Sequence, residues 1–434
     1  MTTATPLLAG SAATAVPPDE RKNKMKNYTQ ISGGVTAAKG FMAASKAAGI
    51  KYQDRKDMAL LYSQVLCNVA GTFTTNIVKA APVKWDQQVV YETKMAQAVV
   101  INAGIANACT GVNGMAYCRQ TAEKAGALLG VPASQVLIAS TGVIGKQLPM
   151  DRIEAGIEAM VPLLNNSLQA GHDAALAIMT TDTHEKEVAV QLELGGQVVT
   201  IGGMCKGSGM IHPNMCTMLS FITTDAAISQ PLLLEALKAD VEDTYNMISV
   251  DGDTSTNDTC LLLANGLAGN PEIVEKNDDY AAFCKALNFV NETLAKMMAG
   301  DGEGATALFE VKIVGAETKK QANILSKAVI TSSLTKAAIY GHDANWGRIL
   351  CAMGYSGAQF DPEAVDLYFE STAGSLKIIE NGVALDYSEE EATAILSQPF
   401  VTAIADIKMG EATATAWGCD LTYDYVKINA DYRS

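Results

Sequence analysis

KGSGMIHPNMCTMLSFITT, residues 206–224, runs from a glycine-rich loop into a strand-like apolar segment and sets Thr217 directly behind the small residue Cys216. A threonine hydroxyl is a weak nucleophile near neutral pH, and one way to activate it is to free the threonine's own α-amine as an adjacent base. That requires the chain to be cut between Cys216 and Thr217. Gly202, Gly203, Gly207 and Gly209 allow unusual backbone angles, and Pro213 with Asn214 favours a turn. Attack of the Thr217 hydroxyl on the Cys216 carbonyl would move the acyl group from nitrogen to oxygen, and water would then release an N-terminal threonine. The same residue types also describe a glycine-rich turn entering a buried strand, Met218–Thr223, and the local pattern leaves both readings open.

Outward from this stretch, strand and helix signals alternate. Strands are expected over Ala96–Asn102, Gln135–Thr141, Leu261–Ala264, Leu308–Val314 and Val365–Glu370. Helical periodicity covers Gly114–Leu129, a segment from Met150, Gln230–Asn246, Asp279–Met298 and Lys319–Tyr340. Glu187–Thr200 alternates around Gly195 and Gly196 as a hairpin, feeding the loop before Thr217. The fold class is α/β, without an internal repeat.

The chain has 434 residues, 48% of them hydrophobic and only 6% aromatic, enough for a large core packed from small side chains. A formal net charge of −15 argues against nucleic acid, whose phosphates attract basic surfaces. The nine cysteines and four histidines are scattered, without CxxC spacing or paired ligands, so a reducing compartment and no metal are expected. Asp251, Asp253, Ser255 and Asn257 imitate the start of a calcium loop. Thr256 stands where its glycine belongs, however, and Leu262 where its bidentate glutamate belongs, so a polar turn before a buried strand is the better reading. The glycines of KGSGM lack the GKS or GKT ending of a phosphate loop. Residues 1–30 carry a short Ala-rich portion with no leading positive charge and already include Asp19 and Glu20. They read as a disordered tail rather than a leader. No apolar run is long enough to span a bilayer, and a cytoplasmic protein is expected.

GMIHPNMCTMLSFITTDA resembles the self-cleavage signature of the ornithine acetyltransferase, or glutamate N-acetyltransferase, family. Ordered resemblances continue through GGVTAAKGF from Gly33, TFTTNIVKAAPV from Thr72, NACTG from Asn107, STGVIGKQLPMD from Ser140 and MTTDT from Met179. Further on come SVDGDTSTNDT from Ser249, GDGEGAT from Gly300, DANWGRI from Asp343 and the terminal YVKINADYRS, so the likeness covers about residues 31 to 434. It implies an intertwined α/β sandwich with an N-terminal-nucleophile-like active site, made of two chains, 31–216 and 217–434. These would stay associated, as a heterotetramer of two alpha and two beta chains. It implies Thr217 as nucleophile, Thr141 and Gly142 as oxyanion donors, and Thr180, Lys206, Thr217, Glu303, Asn429 and Ser434 as substrate-binding residues. The implied reaction is ping-pong transfer of acetyl from N2-acetyl-L-ornithine to L-glutamate in arginine biosynthesis. No dissociable cofactor is needed, and acetyl-CoA is a possible second donor. Cys216, Ile105, Ala307 and His342 depart from the family's commonest residues, and Ile105 and Ala307 bear on substrate preference. Two alternatives remain at this point. An N-terminal-nucleophile amidase or peptidase would pass the acyl group to water, and a non-catalytic scaffold would stay uncut.

Overall fold

A computed structural model describes residues 28–212 and 218–431. Its strands form two sheets. The larger, nine-stranded sheet runs Tyr28–Ile31, Lys186–Leu194, Gln197–Lys206, Leu219–Thr224, Thr259–Ala264, Met58–Phe73, Met95–Ile105 and Val136–Val143. Phe41–Lys46 pairs separately with Met58–Phe73. All six residues of Leu219–Thr224 and all six of Thr259–Ala264 are buried. These two parallel strands are covered on both faces, which explains why they read as continuous apolar runs rather than as alternation. They lie between Gln197–Lys206 and Met58–Phe73, so segments from either side of residue 217 interleave within one sheet.

The second, seven-stranded sheet is built wholly downstream of that point. Its order is Val383–Ala384, Gly374–Glu380, Asp366–Ser371, Phe400–Asp406, Leu308–Ala316, Ala412–Cys419 and Ile248–Ser249. The helix Asp278–Gly300 packs against strands of both sheets, and a continuous apolar core joins the sheets through it and the helices Gln230–Asp243 and Lys319–Thr331. Smaller cores line the larger sheet elsewhere. One lies under the helix Leu168–Ala177, and another lies under the helices Asn113–Leu129 and Met150–Met160. Among the described residues no helix is long and apolar enough to cross a membrane.

Most expected elements form, with shifted ends. The strand expected to finish at Thr141 continues to Val143, because its parallel partner Met95–Ile105 keeps register through Ile105. The helix expected over Lys319–Tyr340 is two, Lys319–Thr331 and Ser333–Tyr340. Ser332 adopts an extended conformation between them, and its hydroxyl accepts from the Thr335 N–H to cap the second. The helix expected from Asp279 begins at Asp278, where Asn277 caps it by accepting from the Tyr280 N–H at 3.0 Å. Tyr28–Ile31 pairs with Lys186–Leu194, so ordered structure starts inside the segment expected to be a tail.

Candidate active site

The hairpin that leads to the site turns at Gly195 (φ 53°) and Gly196 (φ 78°), a pair of left-handed residues whose twist matches that of the flanking strands. Its register pairs Lys186 with Cys205, which brings Lys186 and Lys206 to one end of the sheet, both buried. The loop after Ile178 crosses that end. Lys206 Nζ donates to Thr180 Oγ1 at 2.7 Å and lies 3.7 Å from Asp182 Oδ2. Asp182 in turn accepts from the Gly207 N–H at 2.6 Å and from Lys186 Nζ at 2.8 Å, while Lys186 Nζ also reaches Asp301 at 2.5 Å. Two ammonium groups and two carboxylates thus alternate out of water. Burial pushes the Asp182 carboxyl up, but the charges of Lys206 and Lys186 outweigh it and hold it well below the usual carboxylate range.

Asp301 follows the helix Asp278–Gly300 and opens the loop that carries Glu303. The Ser208 hydroxyl donates to the Asp301 carbonyl at 2.7 Å, and the Glu303 N–H donates to the Ser208 carbonyl at 3.0 Å, lacing this loop to the one after Lys206. Asn429, on the last described helix, Tyr423–Ala430, donates from Nδ2 to Glu303 Oε2 at 2.7 Å. Gly202, Gly203, Gly207 and Gly209 do not serve the purpose expected of them, since none takes a positive φ. They are glycines for space. A Cβ on Gly209 would stand 2.4 to 2.5 Å from the Glu303 carboxyl, and one on Gly202 would stand 2.1 Å from the Gly34 carbonyl oxygen.

Thr141 and Gly142 lie near the end of Val136–Val143, opposite Ala103 and Gly104 of the parallel strand. Gly142 has φ 124°, and a Cβ there would fall 2.3 Å from the Gly104 carbonyl carbon, so only glycine fits. The Asn257 side chain fixes this corner by donating to the Ser140 carbonyl at 2.8 Å and the Ala106 carbonyl at 2.6 Å. The loop that imitates a calcium site therefore does structural work. Asn257 ties down the Thr141 strand end, and Asp251 accepts from the Met210 and Ile211 N–H groups at 2.6 and 2.9 Å. Among the described residues no group of three or more His, Cys, Asp or Glu is placed to hold a metal ion.

These segments close around one cavity of about 280 Å³. Thr141, Gly142, Thr180, Lys206, Glu303 and Asn429 all line it, together with Met218, Asn257 and Asp258. Every expected site residue among the described residues is therefore brought together. Thr217, Cys216 and Ser434 lie outside the described residues. Asp182, Lys186, Asp301 and Asn257 were missed from sequence. The available signal was polar residues squeezed between apolar strands in MTTDT, GDGEGAT and STNDT, but nothing in one sequence says that these loops meet. The chemistry on offer is a pocket with a cation and a carboxylate, a strand-end amide, and the start of a buried strand at Met218.

Residues 42–434 match the model of the ArgJ family. The chain is 53% identical over 406 residues to the arginine biosynthesis bifunctional protein ArgJ of Symbiobacterium thermophilum, covering 93% of this chain and 99% of that protein. It is 50% identical over 404 residues to the protein of the same name from Caldanaerobacter subterraneus subsp. tengcongensis, with coverage of 93% and 99%. A crystal structure of arginine biosynthesis bifunctional protein ArgJ from Bacillus halodurans shares 47% identity over 49% of this chain and 99% of that one, at a TM-score of 0.47.

Proposed function

The chain belongs to the ArgJ family, and from that membership and the cavity together we propose that it is a glutamate N-acetyltransferase acting in arginine biosynthesis. The precursor cuts itself between Cys216 and Thr217, leaving the part that ends at Cys216 and the part 217–434 associated. The Thr217 hydroxyl then takes acetyl from N2-acetyl-L-ornithine while its α-amine receives the proton. The Thr141 hydroxyl and the Gly142 N–H donate to the oxyanion of the tetrahedral intermediate. L-Ornithine leaves, L-glutamate enters the same cavity, and its amine attacks the acetyl-threonine ester to give N-acetyl-L-glutamate. Lys206 with Thr180 receives the substrate α-carboxylate, Glu303 with Asn429 meets the ornithine ammonium, and Ser434 completes the pocket. This chemistry uses no dissociable cofactor, and acetyl-CoA can serve as a second acetyl donor. The active form is a heterotetramer of two alpha and two beta chains in the cytoplasm, without a nucleic-acid or membrane partner.

The observation that supports this reading best is convergence. Six residues chosen from five separate segments line a single cavity that also includes Met218, the neighbour of the proposed nucleophile. Intact-mass spectrometry tests it directly. The expected result is two fragments split after Cys216, one acetyl added to the C-terminal fragment on incubation with N-acetylornithine, and an uncut Thr217→Ala variant. An uncut, unacetylated wild-type chain refutes the proposal. Acetyl passing to water rather than to glutamate would make the protein an amidase.

A further inference from the structure

Lys186 is fully buried, yet it does not line the cavity and the proposed transfer has no use for it. Taking an ammonium out of water is costly unless it is paired, so its place in the interior calls for a reason. Pairing with Cys205 in the hairpin sets it one residue from Lys206. Its ammonium donates to Asp182 Oδ1 at 2.8 Å, to Asp301 Oδ2 at 2.5 Å and to the His184 carbonyl at 3.3 Å, which uses all three of its hydrogens.

The two carboxylates lead to opposite charges of the cavity. Asp182 accepts from the Thr180 N–H at 3.0 Å and the Gly207 N–H at 2.6 Å, and stands 3.7 Å from Lys206 Nζ. It therefore locates both groups proposed to hold the substrate α-carboxylate. Asp301 accepts from the Thr183 N–H at 3.0 Å and from the Thr183 hydroxyl, and its carbonyl accepts from the Ser208 hydroxyl at 2.7 Å. The Ser208 carbonyl takes the Glu303 N–H at 3.0 Å, and Gly209 has no room for a Cβ beside the Glu303 carboxyl. Asp301 therefore locates the group proposed to meet the ammonium. The backbone from Lys206 to Gly209 runs between the two ends, gripped by Asp182 at Gly207 and by Asp301 at Ser208, and Lys186 ties the two grips together.

Resting on the proposed roles of Lys206 and Glu303, we propose that Lys186 is a positioning residue that fixes the span between the cavity's cation and its carboxylate, and so selects the length of the diamino acid held between them. Moving either carboxylate off Lys186 would leave a charge unmet out of water, so the span is held stiffly. A substrate side chain one methylene shorter or longer shifts its ammonium by roughly a bond length, and its two charged ends then cannot both reach their partners. Lys186 itself does not meet the substrate. Its loss should therefore loosen the span rather than remove a contact.

The test is steady-state acetyl transfer to glutamate by the purified full-chain protein from the α-N-acetyl derivatives of diaminobutyrate, ornithine and lysine, with folding read by near-UV circular dichroism. One methylene of misfit is discriminated about 10- to 200-fold, so wild type should favour acetylornithine in kcat/KM by at least about tenfold over either homologue. In folded Lys186→Met that preference should fall to about threefold or less for at least one homologue, because a loosened span no longer rejects it. A folded variant that loses activity equally toward all three donors, with the preference unchanged, overturns the proposal. So does a wild type that uses all three alike. Should Lys186→Met fail to fold, Ser208→Ala decides. It removes only the hydroxyl bond to the Asp301 carbonyl, about the strength that should cut the preference threefold, and an unchanged preference overturns the proposal. A wild type that transfers acetyl from none of the donors removes the proposed function itself, so the two failures are told apart.

Discussion

Replacing Lys186 by methionine isolates the buried charge network under the cavity. The Lys186 and Asp182 side chains are 0% exposed and that of Asp301 is 3% exposed, and among the described residues Lys186 is the only cation that touches both carboxylates. Methionine fills similar volume without charge, so the variant keeps the packing, leaves Asp182 with Lys206 and takes the lysine away from Asp301. Breaking a buried pair by removing one partner costs about 3–5 kcal/mol. With about 2.1 cal/mol/K of unfolding entropy per residue, a chain of 434 residues would lose roughly 3–5 °C in Tm. The pH dependence carries the sharper test. The Asp182 carboxyl is held below its unfolded value, so its stabilisation is complete above about pH 4 and is lost as pH falls through the folded value. The gap between wild type and Lys186→Met should be widest at neutral pH and should shrink below about pH 4. The assay is thermal unfolding at one fixed protein concentration across pH 2–8. A Tm change under about 1 °C at pH 7, or a gap that stays constant down to pH 2, would refute the reasoning.

Gly142→Ala drives a Cβ into the Gly104 backbone and should lower kcat by about 10²–10³, the usual effect of losing one oxyanion donor, as measured by acetyl transfer to glutamate. Asn257→Ala removes donors to the Ser140 and Ala106 carbonyls and should cost about 1–3 kcal/mol for the buried acceptors left unmet, measured by urea unfolding, with kcat falling along with it. Asn429→Ala frees Glu303 Oε2 and should raise KM for acetylornithine about tenfold with little change in kcat, as expected when binding is lost equally from substrate and transition state. The two chains expected from the proposed cleavage should co-elute on gel filtration and part only in denaturant, because Leu219–Thr224 and Thr259–Ala264 are paired on both sides with upstream and downstream strands.

What the sequence reveals here depends on range. Leu219–Thr224 and Thr259–Ala264 were legible as buried strands because every residue is covered and the apolar run is unbroken. The 16-residue strand Met58–Phe73 was not, since Ser63 to Asn68 interrupts its pattern where the register with Met95–Ile105 slips. Thr141, Gly142, Thr180, Lys206, Glu303 and Asn429 were legible only through family motifs, because spacing alone does not distinguish a solvated lysine from one 2.7 Å from a threonine hydroxyl. Lys186 was illegible altogether. In sequence it sits four residues after Asp182 in a polar loop, and only the hairpin register and the end of a distant helix reveal that it is buried between two carboxylates.

The topology also explains how a chain end can serve as a reactive centre. Ends normally fray, and a frayed nucleophile loses the fixed approach geometry on which most of its advantage depends. Here the chain after the proposed cut enters a central strand at once. Leu219 is opposite Lys206 on one side and Thr259 on the other, so the first strand residue is held by both neighbours. The same two neighbours deliver the rest of the site. Lys206 carries a cation of the cavity, and the loop before Thr259 carries Asn257, which fixes the Thr141 corner, and Asp258. A nucleophile starting an edge strand would have had one such neighbour and half the constellation. Insertion at the centre of the sheet is thus what would let the proposed cut create an active site without loosening the structure around it.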